Sequence, residues 1–334
     1  MLTAKENFLE TIRGGKPERF VKQFEFFPMP YMDPYNATNP VPYEPGQSEV
    51  VDFWGVTWSW PEDSPGAFPV HGPGKTVLED IEDWKNIVHA PEMSFSEDLW
   101  KAAEEEYASY DRNEVLLGPT MFPGLFEMTH MLMGMENAMI SLHTNPEEMH
   151  ELINYIADWE IGYISQLKEH LHPDLVFHHD DWGSSKATFL SPDMFREFYL
   201  EPYKRLYGCY KENGFLVFHH SDSYAASYVP FMIEMGVDVW QGGTVANNIP
   251  ELVKKYGGQI SFLTGIDSQI VDREDWSFDE IESIVRDICK KCGPLYFCPC
   301  QTAGLPMSTY DGVYDAIDKA IDVMSEEMSD LFYR

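Results

Sequence analysis

LVFHHDD at residues 175–181 and LVFHHSD at residues 216–222 are two copies of one pattern, Leu-Val-Phe-His-His-x-Asp, set 41 positions apart. An apolar run of three that ends abruptly in imidazoles and carboxylates reads as a buried strand opening into a chemical site. Side chains alternate along a strand. His220 and Asp222 therefore share one face, with His219 and Ser221 opposite. His179 and Asp181 share the equivalent face, with His178 and Asp180 opposite. Two such strands with helix-forming sequence between them predict a repeated βα scaffold with its chemistry at one end.

Short β-rich runs recur outward from this pair. The pattern predicts strands over 20–27, 114–121, 175–182, 215–222, 238–243, 259–267 and 294–301, and helices over 146–171, 192–213, 224–235, 249–256 and 278–292. Asn145-Pro146 and Ser191-Pro192 each put a capping residue before a proline in the first helical turn, with acids following. Such alternation implies parallel strands joined by right-handed crossovers. Seven strands are legible, and the best fit is a (β/α)8 TIM barrel, an α/β fold. Its catalytic face is built at the C-terminal strand ends, where His178–Asp181, His220, Asp222, Gln241, Asp267, Cys298 and Cys300 fall. A doubly wound sheet is the competing fold, but no Gly-rich phosphate loop follows an early strand. The chain reads as one domain, 1–334. Residues 28–113, rich in Pro, Trp and Tyr, break the βα rhythm and read as an insertion covering one barrel end.

Composition narrows the function. The 334 residues are 44% hydrophobic, enough for a sizeable core, and the formal charge is −33 from 23 Lys+Arg against 56 Asp+Glu. That balance argues against nucleic acid and anionic membrane as partners. It also disfavours a polyanionic substrate, since the eight arginines (Arg13, Arg19, Arg112, Arg196, Arg205, Arg273, Arg286 and Arg334) are dispersed. No apolar run is long enough to span a bilayer, and the N-terminus lacks a signal-peptide core. With five cysteines and no export signal, a reduced cytoplasmic setting is expected.

Two His-x-Asp pairs at matching strand ends suit metal binding or proton transfer. A lone pair would read as a hydrogen-bonded core histidine with a local carboxylate, and the repetition favours function. Cys300, on a later strand with Cys298, can complete a His/Asp/Cys zinc site with an open position. Cys289 and Cys292 sit in a helix tail before that strand and read as core thiols.

KENFLETIRGGKPERF (5–20), DFWGVTW (52–58), DDWG (180–183), LSPDMFREFYLEPYKRL (190–206), HSDS (220–223) and LTGID (263–267) carry a family likeness. With these ordered motifs the chain resembles the uroporphyrinogen decarboxylase superfamily from end to end, which implies a TIM barrel. Its decarboxylases take a substrate with eight carboxylates and use an arginine-rich N-terminal motif. The corresponding stretch here, FEFFPMPYMDPY (24–35), is aromatic and acidic. A decarboxylase or carbon–carbon lyase acting on a smaller substrate is the alternative reading.

The other branch is corrinoid-dependent methyltransferases. Those acting on coenzyme M carry His-x-Cys and a distant Cys as zinc ligands. His220-Ser221-Asp222 stands where His-x-Cys would, and Cys300 matches the distant Cys. Aspartate hardens such a site and suits polarising an oxygen. The chain thus looks like the methyltransferase component of anaerobic O-demethylases. The aromatic content and dispersed arginines point to a small methoxylated aromatic methyl donor, with methylamines or other methyl compounds as alternatives. The resemblance implies a partner corrinoid protein carrying cobalamin, and zinc on His220, Asp222 and Cys300. It casts Asp181 and His179 as proton-handling groups, and Trp54, Trp58, Trp60, Trp182 and Gln241 as substrate contacts. A Glu-x14-Glu-x20-His spacing associated with zinc in such enzymes also occurs, as Glu136, Glu151 and His172. Glu151 and His172 fall near opposite ends of one predicted helix, roughly 30 Å apart at 1.5 Å per residue.

Overall fold

The computed structural model of the protein describes residues 1–30, 33–64 and 66–332. Tyr31, Met32 and Pro65 of the aromatic segment, and Arg334, lie outside the described residues. The fold is an α/β barrel of the (β/α)8 type. A small antiparallel sheet comes first, with β1 (Val50–Val51), β2 (Thr57–Ser59) and β3 (Phe68–Pro69) in that order. Among the described residues the barrel wall holds six parallel strands paired in sequence order: β4 (Thr120–Met121), β5 (Leu175–His179), β6 (Leu216–His220), β7 (Val239–Gln241), β8 (Ser261–Ile266) and β9 (Phe297–Gln301).

The twin strands pair with each other in full register, Leu175 opposite Leu216 through His179 opposite His220. Their parity divides two cores. Leu175, Phe177, Phe218, Val239, Leu263, Cys298 and Cys300 join Phe8, Phe24, Phe26 and Phe27 in the barrel interior. Val176, Val217, Trp240, Phe262 and Phe297 face the helices outside. His179 and His220 thus continue the inner column, while His178 and His219 continue the outer one.

The helix over Pro146–Leu171 runs unbroken for 26 residues, with Pro146 in its first turn. The stretch expected as one helix over 192–213 is interrupted by a π turn at Arg196–Leu200, followed by a helix over Glu201–Glu212. Pro202 explains the wider turn. It lacks an amide N–H, and its ring displaces the carbonyl four residues earlier.

The segment over 20–27 is not a strand. It is a tight turn, with the Glu25 N–H bonded to Lys22 O (3.0 Å) and Phe27 N–H to Phe24 O (2.8 Å). Three local demands outweigh the β-rich composition. Gln23 adopts positive φ, and the Glu25 carboxylate takes both the Lys22 N–H (2.9 Å) and the Arg19 guanidinium. The turn still occupies a place in the wall. Phe26 O accepts the Leu116 N–H at 2.8 Å, and Gln23 Oε1 accepts the Gln301 N–H at 3.3 Å. Phe8 and Phe26 stack in the interior, their centroids 3.8 Å apart.

The insertion is part of the same core. Trp54 meets Trp159 edge-on at 5.4 Å, Tyr35 meets Trp159 at 4.9 Å, and the Trp159 indole donates to Pro91 O (2.8 Å). The insertion therefore packs largely against the Pro146–Leu171 helix. No helix among the described residues is long and apolar enough to cross a membrane.

Phe218 is fully buried against Phe8, Phe26 and Phe27, with centroids 5.6–6.4 Å away. Phe218→Ala is expected to cost about 3–5 kcal/mol, read as a lowered midpoint in chemical denaturation. A shift under 1 kcal/mol would mean that the interior repacks around the gap.

Candidate functional site

Asp180, fully buried at the end of β5, organises the mouth. Its carboxylate accepts the Phe126 N–H (2.9 Å), the Glu127 N–H (2.8 Å), the Trp182 indole N–H (2.9 Å) and the Tyr203 hydroxyl. Two of these donors are free amides in the first turn of the helix over Leu125–Met133, where a carboxylate is favoured by the helix dipole. Gly124 permits the approach: a Cβ there would lie 2.4 Å from Asp180 Cβ. The helix start is thereby fixed to β5, and Glu127 comes to face His179.

The Glu127 carboxylate lies 2.9 Å from His179 Nδ1. Burial opposes charge on both groups. At His179 the carboxylates of Glu127, Asp181 and Asp180 outweigh it and hold the imidazole above its usual range. Burial lifts the Glu127 carboxyl, and the facing imidazolium pulls it back.

His220 sits beside His179, the rings stacked 4.5 Å apart. Its Nδ1 bonds Gln241 Oε1. The orientation of Gln241 is set by its amide nitrogen, which donates to Gln301 O (3.0 Å) and Ala303 O (3.3 Å). The amide oxygen is therefore the acceptor, and the proton of His220 resides on Nδ1. Burial, with His179 nearby, lowers His220 to about 4, so it is neutral at pH 7. The loop after β9 closes over this ring; a Cβ on Gly304 would come within 2.7 Å of it.

One ligand atom each from His179, Asp181 and His220 lie within 4.8 Å of one another. The Asp222 N–H donates to Asp181 Oδ1 at 2.9 Å. Desolvation by the surrounding protein and then the Asp181 charge push Asp222 up to about 7. Its side chain still reaches solvent at the rim, and water moderates that shift. Phe122 meets His179 edge-on at 4.8 Å, and Trp58 contacts Phe122 at 6.0 Å.

Other expected residues are placed differently. Cys300 lies in the barrel interior beside the Gln241 amide (3.9 Å), outside the close group, and burial holds its thiol well above the usual range. Trp182 is buried behind the wall, stacked on His219 at 3.8 Å, and not at the mouth. Trp54 packs on Trp159, and Trp60 donates to Ser64 O (3.1 Å). Glu151 pairs with Lys85 (2.8 Å) and His172 caps the far end of the unbroken 146–171 helix, so no single ion joins them to Glu136. Glu127, which the sequence did not single out, is the principal addition.

The outward histidines have a structural task. The Tyr207 hydroxyl bridges His178 Nδ1 (3.0 Å) and His219 Nδ1 (2.9 Å), and Glu160 receives His178 (3.2 Å) and Tyr210 (2.7 Å). This satisfies both nitrogens of His178 and Nδ1 of His219, while His219 Nε2, stacked under Trp182, has no hydrogen-bond partner among the described residues. A groove of about 1070 Å³ lies between the helices over Ile249–Tyr256 and Phe278–Cys292 and reaches Asp267 at the end of β8.

The model of the uroporphyrinogen decarboxylase family matches residues 75–293. No curated protein sequence matches significantly. A methyltransferase from Methanosarcina mazei has a similar structure, with TM-score 0.65 and 14% identity over 97% of this chain and 99% of that one. A family 10 endo-β-1,4-xylanase from Gloeophyllum trabeum overlaps more loosely, with TM-score 0.41 and 10% identity over 69% and 81% of the two chains.

In the metal-free protein at pH 7, heteronuclear NMR of the imidazoles is expected to show His220 neutral with its proton on Nδ1, and His179 doubly protonated. The folded pKa of His220 lies below its ordinary 6.5. Its contribution to stability is thus present above about pH 6.5 and is lost as the pH falls toward 4. A cationic His220 at pH 7 would overturn the assignment.

Proposed function

The chain belongs to the uroporphyrinogen decarboxylase family, and on that premise we propose that it is a methyltransferase moving methyl from a small methoxylated aromatic donor to the corrinoid of a partner protein. The observation carrying this reading is the pair of keyed imidazoles beside Asp181 at the barrel mouth. The aromatic side chains Phe122 and Trp58 adjoin them.

The donor set fits zinc. Nδ1 of each ring is committed, to Glu127 and to Gln241, which leaves one nitrogen per ring and an Asp181 oxygen. Catalytic zinc sites commonly take three such ligands and keep a fourth position open. Carboxylates that hold a proton on His179 favour a metal cation in its place. We therefore assign the metal to His179, Asp181 and His220. When bound, zinc supplies Lewis acidity to an ether oxygen, and the partner's reduced corrinoid supplies the nucleophile for the methyl group.

The protein's own groups do the rest. Glu127 and Gln241 hold both rings in one tautomer. Asp181 and Asp222, in contact at the rim, are the carboxyl groups through which a proton reaches a departing phenolate oxygen from solvent. Phe122 and Trp58 offer an apolar wall for an aryl ring. The decarboxylase reading lacks its cationic anchor: Phe24, Phe26 and Phe27 fill the barrel interior and Arg19 is paired with Glu25.

Anaerobic incubation of the protein and a panel of methoxyarenes with cob(I)alamin is expected to give the absorbance change of methylation. No change across the panel would overturn the reading. His220→Ala is expected to lower the rate at least about 100-fold. Glu127→Gln is expected to weaken zinc binding about 10–100-fold in competition with a chelating dye. Unchanged affinity would remove Glu127 from the metal's support.

A further inference from the structure

We propose that the donor is an uncharged methoxyarene, and that Asp222 with its neighbouring carboxylates is the specificity determinant that turns away arenes bearing carboxylate, sulfonate or phosphate. This rests on the methyl-transfer reading and narrows it.

The loops leading from the strand ends carry the observation. Over 122–124, 180–191, 221–225, 242–244, 267–277 and 302–312, the only lysine or arginine residues are Lys186 and Arg273. Arg273 is committed to Asp275 (3.3 Å) and Glu280. Lys186 stands exposed on the loop after β5. The same loops hold Asp180, Asp181, Asp222, Asp267, Asp272, Glu274, Asp275 and Asp311. Asp181 and Asp222 are in direct contact, the Glu127 carboxylate lies 2.9 Å from His179 Nδ1, and Asp180 holds the Glu127 N–H. Acidic groups thus surround His179, Asp181 and His220, and the loops that carry them hold eight acids against Lys186 and Arg273.

The same loops also carry exposed apolar side chains. Phe122 and Phe189 are 37% and 42% exposed, unusual for phenylalanine. Phe189 stacks on Phe126 at 5.8 Å, and Phe122 on the neighbouring loop faces His179. Leu305 and Met307, also exposed, sit on the loop whose carbonyls hold Gln301 Nε2 (2.8 and 2.6 Å). A neutral ring finds dispersion and edge contacts here. An anionic substituent finds like charge and no free cation within the cluster, so its desolvation is not compensated.

The test compares two donors with the same ring and the same methoxy group, guaiacol and vanillate, which differ by one carboxylate. With the full-length protein and cob(I)alamin, kcat/KM for guaiacol is expected to exceed that for vanillate at least about tenfold. Asp222→Asn is expected to narrow that ratio. Equal or better use of vanillate overturns the proposal, as does an unaltered ratio in a folded Asp222→Asn protein. Calorimetry with the demethylated counterparts, catechol and protocatechuate, reads charge selection without methyl transfer. Tighter catechol binding is expected; equal binding, tighter protocatechuate binding or no binding of either overturns the proposal. If neither donor reacts yet catechol is selected, the methyl-transfer reading fails and the charge selection stands.

Discussion

The two-residue period of a β-strand is the constraint on which the rest depends. Each LVFHH strand carries two adjacent histidines, and the pleat sends them to opposite sides of the wall. On the outer side His178 and His219 meet Tyr207 and become buried polar struts between sheet and helix. On the inner side His179 and His220 surmount a column of Phe177 and Phe218 and open to the mouth. A one-residue slip would exchange the two sets and dismantle both cores at once. Parity sets the surroundings and the neighbours set the protonation: on the inner side carboxylates hold His179 above its usual range while burial lowers His220, and on the outer side burial drives His219 well below it.

Parity places the rings, and Asp180 holds them to a purpose. Burying a carboxylate is costly unless its lone pairs are met. Four donors meet those of Asp180, two of them backbone amides of a helix 53–54 residues earlier in the chain. Fold stability and site geometry therefore share one interaction. Loss of the Asp180 clamp would free the first turn that carries Glu127, and with it the acceptor that fixes the His179 ring. His220 is served from the other direction, by Gln241, which is braced against carbonyls of the segment after β9.

Much of this was legible in the sequence because it is local. The helices over Ile249–Tyr256 and Phe278–Cys292 coincide with the expected ranges, since helical periodicity and end signals are encoded within a few residues. The inward pairing of His179 with Asp181 followed from alternation. The same rule would have sent Trp182 outward; its indole suggested a ligand wall, but its position beside Asp181 puts it behind the sheet. The segment over 20–27 misled because its phenylalanines resemble a strand, while the decisive Glu25 contacts and the backbone of Gln23 form a turn. Glu127 was invisible for a different reason. It lies beside a methionine-rich run that reads as core, and its meaning comes from a contact to Asp180 distant in sequence.

The departure from a thiolate set has a physical consequence. Cys300 stands one pleat beyond Cys298 in the interior, opposite Gly265, and its nearest polar neighbour is the Gln241 amide. A thiolate there would be a buried charge with only one weak donor, and the thiol is accordingly held up. Asp222 stands at the rim beside Asp181, where solvent screens its charge. The residues that gather at the mouth are nitrogen and oxygen donors, with sulfur left below. Such a set suits the role proposed for zinc, the polarising of an ether oxygen.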